Sequence, residues 1–156
     1  MLAPAELAAA SPDERERERY EPMAHERELP TVEDETREYW EAARQGRLLV
    51  KHCHACGADH HYPRPFCPTC WSEDVEWFEV SGRGTVYTYS IVFRNDLQPF
   101  SAWGTYVPAV VELEEGPRLM TNIIDCASEQ LAVGMPVTVE FRALNDSWAA
   151  PIFRPA

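Results

Sequence analysis

The chain has 156 residues, with 26 Asp and Glu against 14 Lys and Arg, and its formal net charge is −12 at pH 7. A polyanion-binding face needs clustered Lys and Arg, yet Lys51 is the single lysine and acidic residues exceed basic ones on both sides of residue 46. This balance argues against nucleic acid as the main partner, and no apolar run approaches the ~20 residues that a bilayer span needs.

Residues 1–30 are predicted to be a charged arm or linker. Their apolar start lacks a preceding basic residue and runs into SPDERERERY, which is not the pattern of a secretory signal. The alternating Glu and Arg offer no apolar stripe, and Pro22 and Pro30 interrupt the second half of the arm. We therefore expect a soluble cytoplasmic protein, no membrane association, and cysteines that stay reduced.

Residues 31–46 are predicted to form a helix. Thr31 and Asp34 have capping-box spacing, and Gly46 is a suitable residue to end the helix. Apolar and aromatic side chains recur on one face at helical spacing: Val32, Thr36, Tyr39, Trp40 and Ala43. This face either packs on its own domain or docks against a partner or a long ligand.

Residues 47–80 are predicted to form a metal-binding ribbon. Two Cys-x-x-Cys pairs, Cys53/Cys56 and Cys67/Cys70, supply the four thiolates that tetrahedral Zn²⁺ prefers. Four sulfur ligands leave no open position for water or substrate, so the expected metal is structural zinc. Iron is the alternative, and it would make the chain a rubredoxin-like electron carrier.

The histidines beside the cysteines are not needed as ligands. We expect His52, His54, His60 and His61 to be solvated or to lie around the metal site rather than in it. Trp71 follows the second cysteine pair, at the place that Gly57 takes after the first.

Residues 81–156 are predicted to form a five-stranded, partly open OB-fold barrel, so the fold class is mainly β. The predicted strands are 84–93, 107–116, 118–125, 136–144 and 150–155, with a short helical turn around Leu131 between the third and the fourth. The long loop 94–106 carries Phe100 and Trp103, which we expect to be exposed and functional.

No catalytic set is recognisable. Cys126 is expected to be a buried structural thiol rather than a nucleophile. Every histidine lies between His25 and His61, so a Cys–His pair would require the ribbon to fold over the third barrel strand. The aspartates at strand ends stand singly rather than in pairs. We therefore expect a chain that does not catalyse a reaction by itself.

Four segments together resemble a known family: REYWEAARQGRLLVKHCHACG, YPRPFCPTC, SGRGTVYTYSIVF and GMPVTVEF. They are similar to acyl-CoA-associated proteins that join a rubredoxin-like zinc ribbon to an OB-fold, and the similarity covers about residues 31–155. The resemblance implies a non-catalytic partner of thiolase-type enzymes, with the four ribbon cysteines as metal ligands. Trp71 departs from the glycine more usual at its position.

A subset of that family is attached to MaoC-like enoyl-CoA hydratases and works with a lipid-transfer-protein-like thiolase homologue. The resemblance to this subset implies a heterotetrameric aldolase that cleaves steroid side chains, an acyl-CoA shared with the partner, and an arm that links the chain to a hydratase. The face expected to meet the enzyme or the acyl-CoA comprises Tyr39, Trp40, Arg44, Arg64, Phe66 and Trp103. The alternative of a single-stranded nucleic-acid binder rests on the OB-fold alone.

Overall fold

The computed structural model describes residues 29–61, 63–97 and 100–156; most of the predicted arm, residues 1–28, lies outside the described residues. One α-helix and eight β-strands are assigned in the described ranges. They are α1 (Asp34–Arg44), β1 (Leu48–Cys53), β2 (Asp59–His60), β3 (Val75–Val80), β4 (Arg83–Tyr89), β5 (Val107–Leu113), β6 (Arg118–Ile123), β7 (Pro136–Ala143) and β8 (Ala149–Pro155), with a 3₁₀ turn at Phe100–Ala102 between β4 and β5.

Helix α1 begins later than its sequence suggests. Glu33, not Thr31, is the N-cap, because its backbone N–H donates to the Thr36 hydroxyl at 3.1 Å and closes the first turn from residue 33. The predicted Thr31–Asp34 capping box is therefore wrong. The predicted stop at Gly46 is confirmed: its φ of +76° turns the chain, and the N–H of residue 47 donates to the carbonyl of residue 42.

The ribbon is built on a three-stranded antiparallel sheet in the order β2–β1–β3. Strands β1 and β3 pair along their whole length, from Leu48 opposite Val80 to Cys53 opposite Val75. The two-residue strand β2 was not predicted, and it pairs with β1 through Lys51 opposite His60. The segment between the two cysteine pairs, residues 57–66, is called the hairpin.

The remaining strands close a barrel in the order β4–β5–β6–β8–β7, which confirms the five-stranded OB-fold. Among these strands, β6 and β8 run parallel and are joined at Ile123 and Phe153. The predicted helical turn around Leu131 is wrong. Backbone groups at the end of that segment pair with β4 instead, since the Gly134 N–H donates to the Val86 carbonyl at 2.8 Å and Val86 donates to the carbonyl of residue 135.

One continuous core joins the ribbon sheet to the barrel. Helix α1 contacts β1 on one side and β7 and β8 on the other. The core contains Tyr39, Leu48, Val50, Val80, Val86, Ala109, Val111, Leu113, Leu119, Ile123, Leu131, Val137 and Phe153. In the described ranges, no helix is long and apolar enough to cross a bilayer.

Candidate metal centre and the surfaces around it

The first cysteine knuckle follows directly from the end of β1. The Cys53 N–H donates to the Ala58 carbonyl at 3.0 Å, and the Gly57 N–H donates back to the Cys53 carbonyl at 2.8 Å. Gly57 has a φ of +71°, a left-handed conformation that costs glycine little because it has no Cβ. This turn brings the thiols of Cys53 and Cys56 to the same side of the backbone.

The second knuckle repeats the first with a different residue at the turn. The Cys67 N–H donates to the Ser72 carbonyl at 2.8 Å, and the Trp71 N–H donates to the Cys67 carbonyl at 2.9 Å. Trp71 therefore takes the place of Gly57 and has a φ of +65°. For an L-residue this conformation costs about 1 to 2 kcal/mol. The turn is as tight as the first, but it is strained.

The two knuckles bring all four sulfurs together. The Sγ atoms of the four cysteines lie within 4.8 Å of one another. Cys53 and Cys70 Sγ are 3.6 Å apart, and Cys56 and Cys67 Sγ are 3.7 Å apart. Four sulfurs placed ~2.3 Å from a central ion at tetrahedral corners would be ~3.8 Å apart. The arrangement therefore fits a four-thiolate metal site with a closed shell.

The backbone favours the ionised form of Cys67. The Thr69 N–H donates to its Sγ at 3.4 Å. Burial raises the pKa of the Cys67 thiol, but amide hydrogen bonds from residues 69 and 70 and the neighbouring thiols outweigh burial and lower it to about 6. The thiolate is the form that binds metal, and within the group Cys67 is the thiol whose thiolate is favoured, whereas contacts with the neighbouring thiols raise the pKa of Cys56.

The histidines lie around the centre and are not part of the ligand group. His52 Nδ1 is 2.6 Å from Asp59 Oδ1, and His54 Nε2 is 3.2 Å from Glu76 Oε1. These carboxylates hold the two imidazoles beside the first knuckle, so both rings have partners other than the thiols.

His61 connects the hairpin to helix α1. Its Nε2 lies 3.2 Å from the Tyr39 hydroxyl, and the two rings meet edge to face. Burial and the nearby His60 lower the pKa of His61 to about 4, and burial raises the pKa of Tyr39. Tyr39 is only 6% exposed, so this member of the predicted partner face belongs to the core.

The other predicted face residues fall into two groups. Trp40 is half-buried and packs edge to face on Tyr39, while Arg44 is exposed in the last turn of α1. On the hairpin, Arg64 is exposed and Phe66 is half-buried. The contact between His61 and Tyr39 places the hairpin next to the helix.

Trp103 belongs to a different region, the loop between β4 and β5. Phe100 and Trp103 were expected to be exposed, but both are half-buried, with ring centroids 4.7 Å apart. They pack on each other and on Tyr106, which makes the loop a small apolar cluster of its own. Among the described residues of this loop, the exposed large apolar side chains are instead Phe93 and Leu97, at 72% and 70%.

Sequence reasoning missed other exposed apolar side chains too. Trp71 is 73% exposed on the ribbon, and Met120 is 80% exposed on β6. The alternation of β6 could have identified Met120, since its neighbours Leu119 and Thr121 are buried. For Trp71, the only signal was an aromatic residue at a position that favours glycine.

A cleft of about 240 Å³ lies between α1 and β3. Glu38 and Glu41 line it from the helix, and Trp77 and Phe78 line it from β3. Lys51 Nζ lies 4.4 Å from the centre of the Trp77 ring, and burial lowers the pKa of this lysine. The cleft is thus lined by aromatic and acidic side chains together with the cationic Arg47.

Cys126 has the environment expected from the sequence only in part. The thiol is half-buried rather than fully buried, and burial raises its pKa. Its Sγ donates to the neighbouring carbonyl of residue 127 at 3.5 Å. A protonated, hydrogen-bonded thiol is a poor nucleophile.

Two family models match the chain. Residues 40–76 match the model described as "ChsH2, rubredoxin-like zinc ribbon domain", and residues 77–142 match "ChsH2, C-terminal OB-fold domain". Among solved structures, the chain is similar to a subunit of "Ltp2-ChsH2(DUF35) aldolase", with a TM-score of 0.71 and 36% identity. That match covers 81% of this chain and 98% of the solved one.

Curated relatives are of two kinds. The chain is 37% identical over 130 residues to a "Probable enoyl-CoA hydratase alpha subunit" of Thermomonospora curvata, covering 83% of this chain. It spans only 40% of the length of that relative. It is also 37% identical over 100 residues to a "DUF35 domain-containing scaffold protein" of Methanocaldococcus jannaschii, covering 64% of this chain and 70% of the relative.

Proposed function

Since the chain belongs to the ChsH2 (DUF35) family of zinc-ribbon and OB-fold proteins, we propose that it is a non-catalytic accessory subunit of a thiolase-like enzyme that acts on acyl-CoA thioesters. The observation that carries the proposal is the similarity to one subunit of a solved aldolase, 98% of whose length is covered by the match. The relative of the second kind, a scaffold protein, supports the same role.

The chemistry of the described side chains supports binding rather than bond breaking. The four ribbon thiols form a closed set that suits a structural metal, which we assign as zinc held by Cys53, Cys56, Cys67 and Cys70. Several arginines are engaged with carboxylates, such as Arg83 with Glu114 at 2.8 Å. On this proposal, the reacting groups belong to the partner.

The surface supports a protein partner. Large apolar side chains stand exposed on the ribbon, on the loop after β4 and on the barrel, and interaction sites form where such side chains adjoin one another. They are Trp71, Tyr87, Phe93, Leu97, Met120 and Val133. Of the residues predicted from sequence, we retain Trp40, Arg44, Arg64 and Phe66 as one face, while Trp103 lies on a separate loop and contributes, on this proposal, to the acyl-CoA side.

The finer assignment follows the subset that the sequence resembles. We propose a thiolase-like partner of the lipid-transfer-protein type, a complex of two copies of each chain, and retro-aldol cleavage of a steroid side-chain CoA thioester in the cytoplasm. The hydratase name of the longer relative supports a MaoC-like hydratase as a further associate.

The proposal is tested by co-expressing the chain with the Ltp2-type enzyme of its own host. We expect one species on size exclusion, with a light-scattering mass of two copies of each chain, and cleavage of a β-hydroxyacyl-CoA that neither chain catalyses alone. Separate elution of the two chains at micromolar concentration, with unchanged activity of the enzyme, would reject the accessory role.

A further inference from the structure

The two cysteine knuckles have the same backbone but carry different residues at the strained position. Gly57 and Trp71 each donate their N–H to the carbonyl of the first cysteine of their own pair, with φ values of +71° and +65°. Glycine adopts this conformation freely, whereas a bulky residue there is an outlier. Glycine at position 71 would therefore suit the knuckle better than tryptophan.

Burial within the chain does not compensate for this strain. Trp71 is 73% exposed, so most of its ring gains nothing from the core. Its ring stacks on Phe66, with the two planes nearly parallel at a centroid distance of 5.3 Å and an interplanar angle of 18°. Strained residues cluster at functional sites, so a residue that is both strained and exposed is a candidate for a contact outside the folded chain.

The surroundings of Trp71 indicate the chemistry of that contact. Between Asp59 and Glu73 the sequence has no Asp or Glu, although 26 of 156 residues in the chain are acidic. Apart from two histidines, the ionisable basic side chain in this stretch is that of Arg64, which is exposed. Tryptophan and arginine are enriched, and acidic residues depleted, at the centres of protein–protein interfaces.

We infer that Trp71, stacked on Phe66, is the residue through which the ribbon anchors the chain to the partner enzyme, with the indole entering an apolar pocket whose rim is acidic and faces Arg64. The inference rests on the proposed function and names the contact within it. A protein pocket fits this surface better than a phosphate-rich ligand does. Several cations are needed to neutralise phosphates, and residues 60–72 contain one arginine and no lysine. The acidic remainder of the chain would repel an acidic rim elsewhere, which restricts docking to this side.

The test is Trp71→Gly, measured against the Ltp2-type enzyme of the same host. Glycine relieves the strained backbone, so we expect the free chain to keep its metal and to unfold at the same or a higher urea concentration. We expect affinity for the partner, measured by calorimetry, to fall at least tenfold. Loss of binding without loss of stability separates an anchor from a residue that merely supports the fold.

Trp71→Asn serves as the second variant, because asparagine tolerates the left-handed conformation without adding unfolded-state entropy. Leu29→Ala is the control, since it removes an exposed apolar side chain outside the ribbon and outside the proposed partner surface, and it should leave the affinity unchanged. Wild-type affinity in both Trp71 variants overturns the inference while the accessory role stands. Failure of the wild-type chain to bind rejects the accessory role itself.

A second copy of the chain is the competing occupant, and sedimentation of the free protein distinguishes it. We expect the wild type and Trp71→Gly to sediment alike as monomers at micromolar concentration. Self-association of the wild type that Trp71→Gly abolishes would assign the indole to a homodimer and overturn the inference.

Discussion

His61 Nε2 lies 3.2 Å from the Tyr39 hydroxyl, and this contact joins the metal-binding hairpin to helix α1. Tyr39 lies in the core that the helix shares with the ribbon sheet and the barrel. The pair therefore couples the position of the hairpin to the body of the protein.

Removing the hydroxyl should weaken that coupling. We expect Tyr39→Phe to lower the free energy of unfolding by about 1 kcal/mol, because the buried imidazole loses its partner while the ring volume is kept. Urea denaturation measures the change. Tyr87→Phe is the control, since Tyr87 is 46% exposed and its loss should stay within about 0.5 kcal/mol. Equal effects of the two variants would contradict a specific role of the His61 contact.

Acid should destabilise the chain through the same histidine. Burial and His60 lower the pKa of His61 to about 4 in the folded state, against an unfolded value near 6.5. The unfolded chain therefore binds the proton first, so stability is complete above pH ~6.5 and declines as the pH falls towards ~4, by up to about 3 kcal/mol. His61→Gln should flatten this dependence. Parallel curves for the two proteins, with metal retention verified at each pH, would exclude His61 as the cause.

Metal analysis should find one zinc ion per chain, and the protein should be colourless. Iron would instead give visible absorption from its thiolate ligands and would support the electron-carrier alternative. We expect Cys67→Ser to lose the metal and several kcal/mol of stability, because binding at a structural site is coupled to folding. Cys126→Ser is the matched control and should retain the ion. Full metal content in Cys67→Ser would contradict the four-thiolate assignment.

Gly84 in β4 should be intolerant of any side chain. A Cβ there would lie 2.4 Å from the Glu112 carbonyl oxygen and 2.8 Å from Val111 Cγ1, so the strand pair would have to separate. We expect Gly84→Ala to cost about 3 kcal/mol or more. Gly46→Ala, whose Cβ meets nothing within 4 Å but whose φ is +76°, should cost only about 1 to 2 kcal/mol. Urea unfolding of both variants tests the order of these effects.

Single-stranded DNA should not bind the barrel. Arg118 pairs with Glu112 at 2.6 Å and Arg94 pairs with Asp96 at 2.7 Å, so the cations near the outer face and loop are neutralised locally. Fluorescence anisotropy of a labelled oligonucleotide should stay flat at low salt up to about 100 µM protein. Binding that weakens steeply as salt is added would revive the nucleic-acid alternative.

Local signals explain what could be predicted from the sequence. Two Cys-x-x-Cys pairs define their own turns, and alternating segments such as residues 137–141 are recognisable as strands whatever they pack against. The residues that could not be placed depend on contacts distant in sequence. Tyr39 and Trp40 are adjacent on one helix, yet the packing of that helix on the ribbon sheet and the barrel decides that the first is buried and the second is half-buried.

The loop after β4 shows the same limit. Phe100 and Trp103 look like exposed aromatics in a polar stretch, but they fold onto Tyr106 and leave Phe93 and Leu97 outside. The prediction of a helical turn around Leu131, in the segment before β7, was wrong for another reason. Its local preference is helical, but the ladder with β4 at Val86 takes up the backbone groups that a helix would need.

Phe66 immediately precedes Cys67 and Trp71 immediately follows Cys70, so the aromatic pair is built on the backbone that the thiolates fix. Zinc shortage or thiol oxidation in the cell would therefore dismantle the anchoring face while leaving the catalytic residues of a partner intact. Linkage requires the reverse effect as well, because a partner that binds only the metal-loaded ribbon raises its affinity for zinc by the same factor. On the proposed assignment, assembly of the complex would protect its own metal from competing chelators.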